Sequence, residues 1–496
     1  MERLSRGTLA RVPVDSRPLV PPGAVPAGIV HLGLGAFHRA HQAVYTEEAV
    51  AAAGGGWGIV GVAPRSPDVV ARLAEQDGLY SVASVSAAGR RTAVVGILAG
   101  AWCAARDPDA IVARLADPAI RIVTLTVTEK AYRLDPASGR LLLDDELRAD
   151  LSGDRPPRTV PGLLVRGLLA RYWADAGPVA LVSCDNLPAN GRRLHGLVGQ
   201  ALRHLEPAAG GPAPGAIVDW LHDNVRYPGT MVDRIVPATD QSTLDGAARA
   251  LGVADLAAVC GEPYRQWVIE DDFPGGRPAW ERAGAVLTDD ASAWERLKLR
   301  TLNGVHSAVA YLGALAGRET IAEALQIPGL RTAVRGLVAE DVATSFTPPA
   351  DVSVVAYGES VLERFANPVI AHRTVQVAMD GSQKLPQRVL HTIVDRRRMG
   401  GRPRWAALVV AAWMRFVQGT ADDGRSLPLD DPLAAEIRSR LASAPSTPDG
   451  VFDALVRLEA VFPAELAGDA VVRELVVDWL TSLDKHGVES TVAGAA

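Results

Sequence analysis

The chain has 496 residues, more than one hydrophobic core usually organises, so two domains are expected. Hydrophobic and charged contents of 48% and 22% are ordinary for a globular protein, and a net charge of −6 provides no basic face for nucleic acid. The three cysteines form no CxxC pair, no apolar signal segment opens the chain, and no uncharged apolar run reaches roughly 18 residues, so we expect a cytoplasmic protein without a membrane anchor or an obligate protein partner.

The first half of the chain alternates short apolar, β-branched runs with helical stretches. A buried strand is expected within residues 28–36, where it runs into a glycine turn, and a helix follows over 41–53. Further strands are predicted at residues 57–63, 94–98, 121–128 and 179–184. This alternation predicts parallel βαβ units.

The second half has a different character, because long segments rich in Ala, Leu, Val and Arg follow helical spacing. Helices are predicted over residues 291–316, 321–339, 353–365, 404–417 and 454–483. The turn-forming stretch FPGGRP at 273–278 separates the two parts. We therefore predict an α/β dinucleotide-binding (Rossmann-like) domain over 1–285 and a mainly α-helical domain over 286–496, which would carry the substrate and catalytic residues.

The glycine turn after the first strand reads HLGLGAFHRAH. Gly33 and Gly35 match the first two glycines of a dinucleotide fingerprint, which allow a tight turn and close approach of a diphosphate. His38 replaces the third glycine, so the motif is degenerate, and an ordinary strand–turn–helix is the alternative. We expect the residues that follow, Phe37, His38 and Arg39, to lie at the cofactor as well.

The residues after the second strand bear on the choice of cofactor. Asp68 could accept the ribose hydroxyls of NAD, whereas Arg65 could instead favour the 2′-phosphate of NADP. We predict NAD and leave NADP open.

The segment WERLKLRTLNGVHSA places four polar side chains on one broad face of a predicted helix. With Lys298 at zero, Glu295 lies at about 60°, His306 at about 80° and Asn303 at about 140° around a regular α-helix. A solvated face with a Glu–Lys pair is the alternative. The next turns, SAVAYLGALAG, are nearly all apolar, which favours a buried helix. A buried lysine has a lowered pKa and serves as a general base.

Lysine is rare in this chain, since only four of the 51 basic residues are lysines. Chance is one explanation of these four positions; the other is that a lysine is kept for a property that arginine lacks, namely loss of its proton near neutral pH. Two other catalytic designs are disfavoured. No His/Cys set has zinc-ligand spacing, and no tyrosine stands four residues before a lysine, so we expect no metal and no Tyr–Lys dyad.

Several motifs, taken together, resemble the polyol-specific long-chain dehydrogenases, also called the mannitol dehydrogenase family. The resemblance covers residues 25–485 and is carried by GLGAFHRAHQAVYTEEA, TLTVTEKAY, VSCDNLPANGRRL, MVDRIVPAT, QWVIEDDFPGGRPAWE, LKLRTLNGVHSAVAYLG and RFANPVIAHRTVQVAMDGSQKLPQR. It implies an NAD-dependent, metal-independent oxidoreductase. Such an enzyme interconverts a secondary alcohol of an acyclic polyol or aldonate with the ketose or keto-uronate, as in the D-mannitol/D-fructose or D-mannonate/D-fructuronate pairs.

The resemblance also implies roles for the catalytic residues. Lys298 resembles the general base, and Asn303 resembles one arm of the site that stabilises the developing alkoxide. An asparagine of the SCDNLPANG stretch resembles the other arm, with Asn190 favoured and Asn186 as the alternative. His306 resembles a contact to the substrate hydroxyl.

Glu295 resembles the gate of a proton channel, and Asp233, Lys384 and Arg373 are the expected substrate contacts. One departure concerns Gln376, which stands where mannitol dehydrogenases are expected to have a substrate-binding arginine. The surrounding stretch is closer to the fructuronate reductase-like branch. A non-catalytic dinucleotide-binding sensor is the alternative function, and the complete Lys–Asn–His set argues against it.

Overall fold

The computed structural model describes residues 1–86, 89–135, 138–153, 155–205, 214–368 and 372–495. Contacts divide the chain into two compact units, Met1–Ser292 and Ala293–Ala496. The sequence placed the boundary between residues 285 and 286. Within the described ranges, no helix combines the length and the apolar character needed to cross a membrane.

The strands all lie in the N-terminal unit as far as the chain is described. Numbered in chain order, they are β1 Ala27–Leu32, β2 Gly58–Ala63, β3 Tyr80–Ser86, β4 Gly89–Val95, β5 Leu98–Cys103, β6 Ile122–Leu125, β7 Val179–Ser183, β8 Val225–Arg226, β9 Thr230–Asp233, β10 Val259–Gly261, β11 Gln266–Glu270 and β12 Val286–Thr288. The main sheet is six-stranded and parallel, in the order β5-β2-β1-β6-β7-β8. The order reverses between β1 and β6, as it does in doubly wound dinucleotide-binding folds. Two three-stranded sheets, β10-β3-β4 and β12-β11-β9, complete the unit.

Helices connect these strands. They are α1 Ala36–Ala40, α2 Gln42–Ala53, α3 Asp68–Ala74, α4 Pro108–Leu115, α5 Asp145–Ser152, α6 Val160–Trp173, α7 Asn190–Leu202, α8 Pro214–Asn224 and α9 Gln241–Leu251, with short 3₁₀ turns at Arg6–Arg11, Val14–Ser16, Glu129–Tyr132 and Trp280–Ala283.

The main sheet is covered on both faces, which explains the unbroken apolar runs of its strands. Successive residues of β1 point to opposite faces. Ile29 packs in a core that contains Trp280, whereas Val30 and Leu32 pack in a second core with Leu163. The α/β fold class predicted for this part of the chain is confirmed.

The strand predicted at residues 94–98 was wrong. These residues span the end of β4 and the start of β5, and the chain changes sheets between them. The backbone N–H groups of Gly96 and Ile97 donate to the buried carboxylate of Glu47, at 2.6 and 3.2 Å, rather than to a neighbouring strand. The strand thus ends where the carboxylate of Glu47, from a distant part of the chain, accepts these hydrogen bonds, although the local composition predicts that the strand continues.

The C-terminal unit is helical, which confirms the second half of the predicted fold class. Its first helix, α10, begins at Ser292, the last residue of the N-terminal unit. The helices are α10 Ser292–Leu297, α11 Gly304–Leu315, α12 Ile321–Ala324, α13 Leu330–Gly336, α14 Val354–Phe365, α15 Thr374–Ala378, α16 Gly381–Leu385, α17 His391–Arg398, α18 Arg404–Phe416, α19 Ala434–Ala442, α20 Pro448–Leu455, α21 Ala464–Ala467 and α22 Ala470–Ala495. Three π-helical segments, Lys298–Asn303, Leu337–Val342 and Pro386–Leu390, interrupt the α-helices.

Three of the predicted helices, at 291–316, 321–339 and 454–483, are not continuous. The first is divided by the π segment Lys298–Asn303. The second is broken between α12 and α13, where Gly329 has φ +83°, and the third is broken between α20 and α22. Pro463, which lacks a backbone N–H, caps the short α21 within that break.

Candidate active site

The glycine turn at the carboxyl end of β1 uses its two glycines differently. Gly33 has φ +111°, and a Cβ added there would lie 2.0 Å from the carbonyl oxygen of Thr126. Its N–H donates to the carbonyl of Val62 at 2.8 Å, which ties the turn to β2. Gly35 has an ordinary φ of −86°, and a Cβ there would meet no atom nearer than 3.8 Å. The fold therefore requires Gly33, while Gly35 leaves open space.

His38, which replaces the third glycine of the fingerprint, lies buried against β1. Its ring stacks on that of His31, with ring centroids 3.3 Å apart and an angle of 10° between the planes. His31 is bonded on both sides, to Thr124 Oγ1 at 2.8 Å and to the carbonyl of Gly33 at 2.9 Å. Burial lowers the pKa of His31 to about 3 and that of His38 well below its usual value, so both rings are neutral. The stacking of the two flat rings lets α1 pack closely on β1 although the third glycine of the fingerprint is absent.

The other residues predicted at the cofactor lie near this turn or after the next strand. Phe37 stacks on His41, with centroids 5.0 Å apart. Arg39 is buried and donates to the carbonyls of Ala257 and Gly35. Asp68 is exposed at the first position of α3, which follows β2. Because β1 and β2 are parallel neighbours, the turn and Asp68 follow the same edge of the sheet.

The features of this edge are those of dinucleotide-binding folds. The backbone at Gly35 has open space beside it, and the turn lies where the strand order reverses, which is where such folds take a diphosphate. A Cβ at Gly35 would project into that space. A nicotinamide dinucleotide is the cofactor that such a Rossmann unit binds in oxidoreductases.

The two asparagines after β7 have different environments. Asn190 is buried, and its amide nitrogen donates to the carbonyls of Asp185 and Thr230, at 3.2 and 2.9 Å, and to Thr230 Oγ1 at 3.1 Å. Its side-chain oxygen accepts from the N–H of Thr230. Asn186, in contrast, is exposed just beyond the end of the strand. Asp233 is buried at the last position of β9.

The lysine segment departs from the regular helix assumed from sequence. Lys298 and Asn303, each 6% exposed, are the first and last residues of a π-helical segment. A regular α-helix would separate these two side chains by about 140°. A π-helix closes its hydrogen bonds i→i+5 and has a wider turn, so the π segment reduces that angle. Glu295 is partly exposed in α10.

Tertiary contacts accompany the π segment. The guanidinium of Arg300 donates to Ser345 Oγ at 2.9 Å and to the carboxylate of Asp395 at 2.6 Å. A Cβ on Gly304 would lie 2.9 Å from the carbonyl oxygen of Arg388, so the segment Pro386–Leu390 approaches closely there. π-helical turns of this kind are frequent at functional sites.

His306 follows on α11, buried beside several basic residues. Its ring centroid lies 5.4 Å from that of His372 and 4.5 Å from that of Phe365. Burial, followed by the charges of His372, Arg388, Lys384 and further basic residues, lowers the pKa of His306 well below its usual value. His306 is therefore neutral.

Two further predicted residues lie in the stretch after residue 371. Lys384, in α16, donates to the carbonyls of Val377 and Met379, and burial lowers its pKa. Arg373 is exposed directly before α15. Residues 369–371 of this motif lie outside the described residues.

Arg388 is a functional candidate that the sequence analysis missed. It lies four positions after Lys384, a spacing that could have flagged it, and donates to Ser307 Oγ at 3.0 Å, next to His306. Burial lowers the pKa of this guanidinium to about 10, so it remains a cation at neutral pH.

Comparison with known proteins covers both units. Residues 27–282 match the mannitol dehydrogenase Rossmann domain, and residues 290–483 match the mannitol dehydrogenase C-terminal domain. The chain is 39% identical to the D-mannonate oxidoreductase of Escherichia coli (strain K12), over 94% of this chain and 95% of the relative. The solved mannitol 2-dehydrogenase of Pseudomonas fluorescens, in ternary complex with NAD and D-mannitol, matches with TM-score 0.83 and 31% identity over 99% of both chains. A substrate-free D-sorbitol dehydrogenase matches with TM-score 0.90 and 28% identity, over 99% of this chain and 100% of that one. The resemblance inferred from sequence motifs is confirmed.

Proposed function

Because the chain belongs to the mannitol dehydrogenase family and is thus an oxidoreductase acting on CH–OH groups, we propose that it interconverts a secondary alcohol of an acyclic polyol or aldonate with the corresponding ketose or keto-uronate. The proposal includes NAD as cofactor and Lys298 as general base. The observation that supports this proposal most directly is the burial of Lys298. It begins the π segment that ends at Asn303, and the helix continues from there to His306.

Lys298 is the residue of this segment suited to remove the hydroxyl proton. Its side chain is 6% exposed, and burial of a lysine in general favours the neutral amine over the ammonium form. A neutral amine accepts a proton, whereas the guanidinium of an arginine does not release one near neutral pH. In the oxidative direction Lys298 takes the proton of the substrate hydroxyl. Glu295, earlier in the same helical stretch and partly exposed, passes it towards solvent.

The alkoxide that develops on the substrate oxygen requires hydrogen-bond donors. Asn303 supplies one amide. Asn190 and Asn186 are the candidates for the second. We assign the donor role to Asn186, which is exposed beyond the end of β7, and assign to Asn190 the holding of the strand-end loop through Asp185 and Thr230. Because His306 is neutral, it orients the substrate hydroxyl by a hydrogen bond and not through a positive charge.

The remaining predicted residues bind substrate and cofactor. Asp233, Lys384 and Arg373 contact the hydroxyl groups or the far end of the substrate. A bound nicotinamide dinucleotide supplies the two-electron acceptor for oxidation and the donor for reduction. We assign NAD because Asp68, exposed after β2, accepts the ribose hydroxyls. A preference for NADP in the wild type would transfer that role to Arg65.

Turnover by Lys298 variants tests the proposal. The wild type, assayed with NAD and NADP on D-mannonate and D-mannitol, should reduce the cofactor with a pH profile that rises through one ionisation. Lys298→Ala should lower kcat by roughly 100- to 10,000-fold, the usual contribution of a general base, and should abolish that ionisation. Lys298→Arg should be similarly inactive.

Lys485→Ala is the matched control, because Lys485 is exposed in α22 and its loss removes the same charge. It should retain wild-type turnover. A Lys298→Ala enzyme with near wild-type kcat and an unchanged pH profile would contradict the mechanism. Cofactor binding without turnover on a broad panel of polyols and sugar acids would instead favour the sensor alternative.

A further inference from the structure

The guanidinium of Arg388, which is half-buried, has fewer hydrogen-bond acceptors around it than a fully buried arginine of this protein. The comparison is with Arg171, which is buried in the N-terminal unit and donates five hydrogen bonds to backbone carbonyls. Arg388 donates one hydrogen bond, to Ser307, and forms no ion pair within the part of the chain that the structure describes. A guanidinium has several N–H donors, so most of those of Arg388 remain available.

Among the described residues, no carboxylate lies within ion-pair distance of Arg388. Lys384 has a carboxylate, that of Asp380, at 3.9 Å, and it also donates to backbone carbonyls. His306 and His372, whose rings stack 5.4 Å apart, add no negative charge. A positive charge taken partly out of water is costly unless an anion or hydrogen-bond acceptors replace the water. The surroundings of His306 therefore favour an anionic ligand.

We propose that Arg388, assisted by Lys384, binds the carboxylate of a sugar acid, so that this enzyme acts on aldonates and keto-uronates in preference to neutral polyols. The inference rests on the proposed function, because it places the carboxylate on the substrate whose hydroxyl contacts His306. Ser307, the residue after His306, holds one nitrogen of the guanidinium and fixes its direction. The planar fork of an arginine binds the two oxygens of a carboxylate better than it binds a hydroxyl group.

A pair of substrates that differ only in charge separates this inference from general loss of activity. D-mannonate and D-mannonamide share stereochemistry and size, but only the first carries a carboxylate. Wild-type kcat/KM should be at least about tenfold higher for D-mannonate than for the amide. Arg388→Met should lower kcat/KM for D-mannonate by roughly 10- to 100-fold, as expected when a hydrogen bond to a charged group is lost. It should change the value for the amide by less than about threefold, and Arg388→Lys should recover part of the loss.

Arg398→Met provides the control, because Arg398 is exposed and paired with Glu465, and its loss removes one positive charge from the same unit. It should leave both substrates unaffected. Equal losses on the acid and the amide in Arg388→Met would overturn the inference and assign Arg388 to holding the helix. If Arg388→Met does not fold, the wild-type ratio still decides, since an amide oxidised as fast as the acid overturns the inference. Wild-type turnover of D-mannitol with no preference for the acid overturns this inference alone, whereas cofactor binding with no turnover of any of the three compounds overturns the proposed function as well.

Discussion

Alanine at Gly33 and alanine at Gly35 should have opposite consequences, although the two glycines are two residues apart in one turn. At Gly33 the substitution combines a φ of +111° with a Cβ only 2.0 Å from the carbonyl oxygen of Thr126. Strained backbone of this kind costs about 1–3 kcal/mol, and forced overpacking costs about another 1–3 kcal/mol. The sum is a large part of the roughly 5–15 kcal/mol that stabilises a domain.

At Gly35 the same substitution meets no atom within 3.8 Å, and the backbone already has φ −86° and ψ −178°. Any residue adopts that conformation, so Gly35→Ala should raise the free energy of unfolding slightly, by about 0.5 kcal/mol, because it restricts the unfolded chain. The added methyl fills the space that we assign to the cofactor diphosphate. Gly35→Ala, and more strongly Gly35→Val, should therefore weaken cofactor binding by at least about tenfold.

Two measurements separate these effects. Denaturant unfolding should show a marked loss of stability for Gly33→Ala and little change for Gly35→Ala. Calorimetric titration with NAD and NADP should show weakened binding for the folded Gly35 variants. A well-folded Gly35→Val protein with wild-type cofactor affinity would refute the placement of the diphosphate at this turn. Wild-type stability of Gly33→Ala would refute the steric argument.

Two further predictions concern side chains of the N-terminal unit. The pKa of His31 is about 3 in the folded protein and 6.5 in the unfolded chain. Between these pH values the unfolded state binds more protons than the folded state, so the stability present above pH 6.5 is lost as pH falls. From pH 7 to pH 5 this single histidine should cost about 2 kcal/mol, and urea unfolding of a folded His31→Gln protein should show a correspondingly smaller pH dependence; an unchanged slope would contradict the reasoning. Asn186→Ala should lower kcat with little change in stability. Asn190→Ala should mainly lower the unfolding temperature, because it leaves the backbone groups of Thr230 and Asp185 without their partner. The reverse pattern would return the donor role to Asn190.

Local sequence was sufficient where the physical constraint is local. The β-branched runs at β1 and β2 predicted buried parallel strands, because such side chains pack well on a sheet covered on both faces. The glycine spacing predicted a tight turn, and Gly33 indeed has the positive φ that this residue type tolerates. The seven motifs predicted the family because they occur in the family's order along the chain.

Tertiary structure decided the features that depend on residues far apart in the chain. Asn190 is held by Thr230, which lies 40 positions later, and His31 is held by Thr124, 93 positions later. The π segment between Lys298 and Asn303 accompanies long-range contacts such as that of Arg300 with Asp395. No local period encodes such contacts, because side-chain hydrogen bonds and burial are set only when distant segments meet. The sequence therefore determined which residue types are present for chemistry, and the tertiary structure determined which of them are buried and which distant residues hold them.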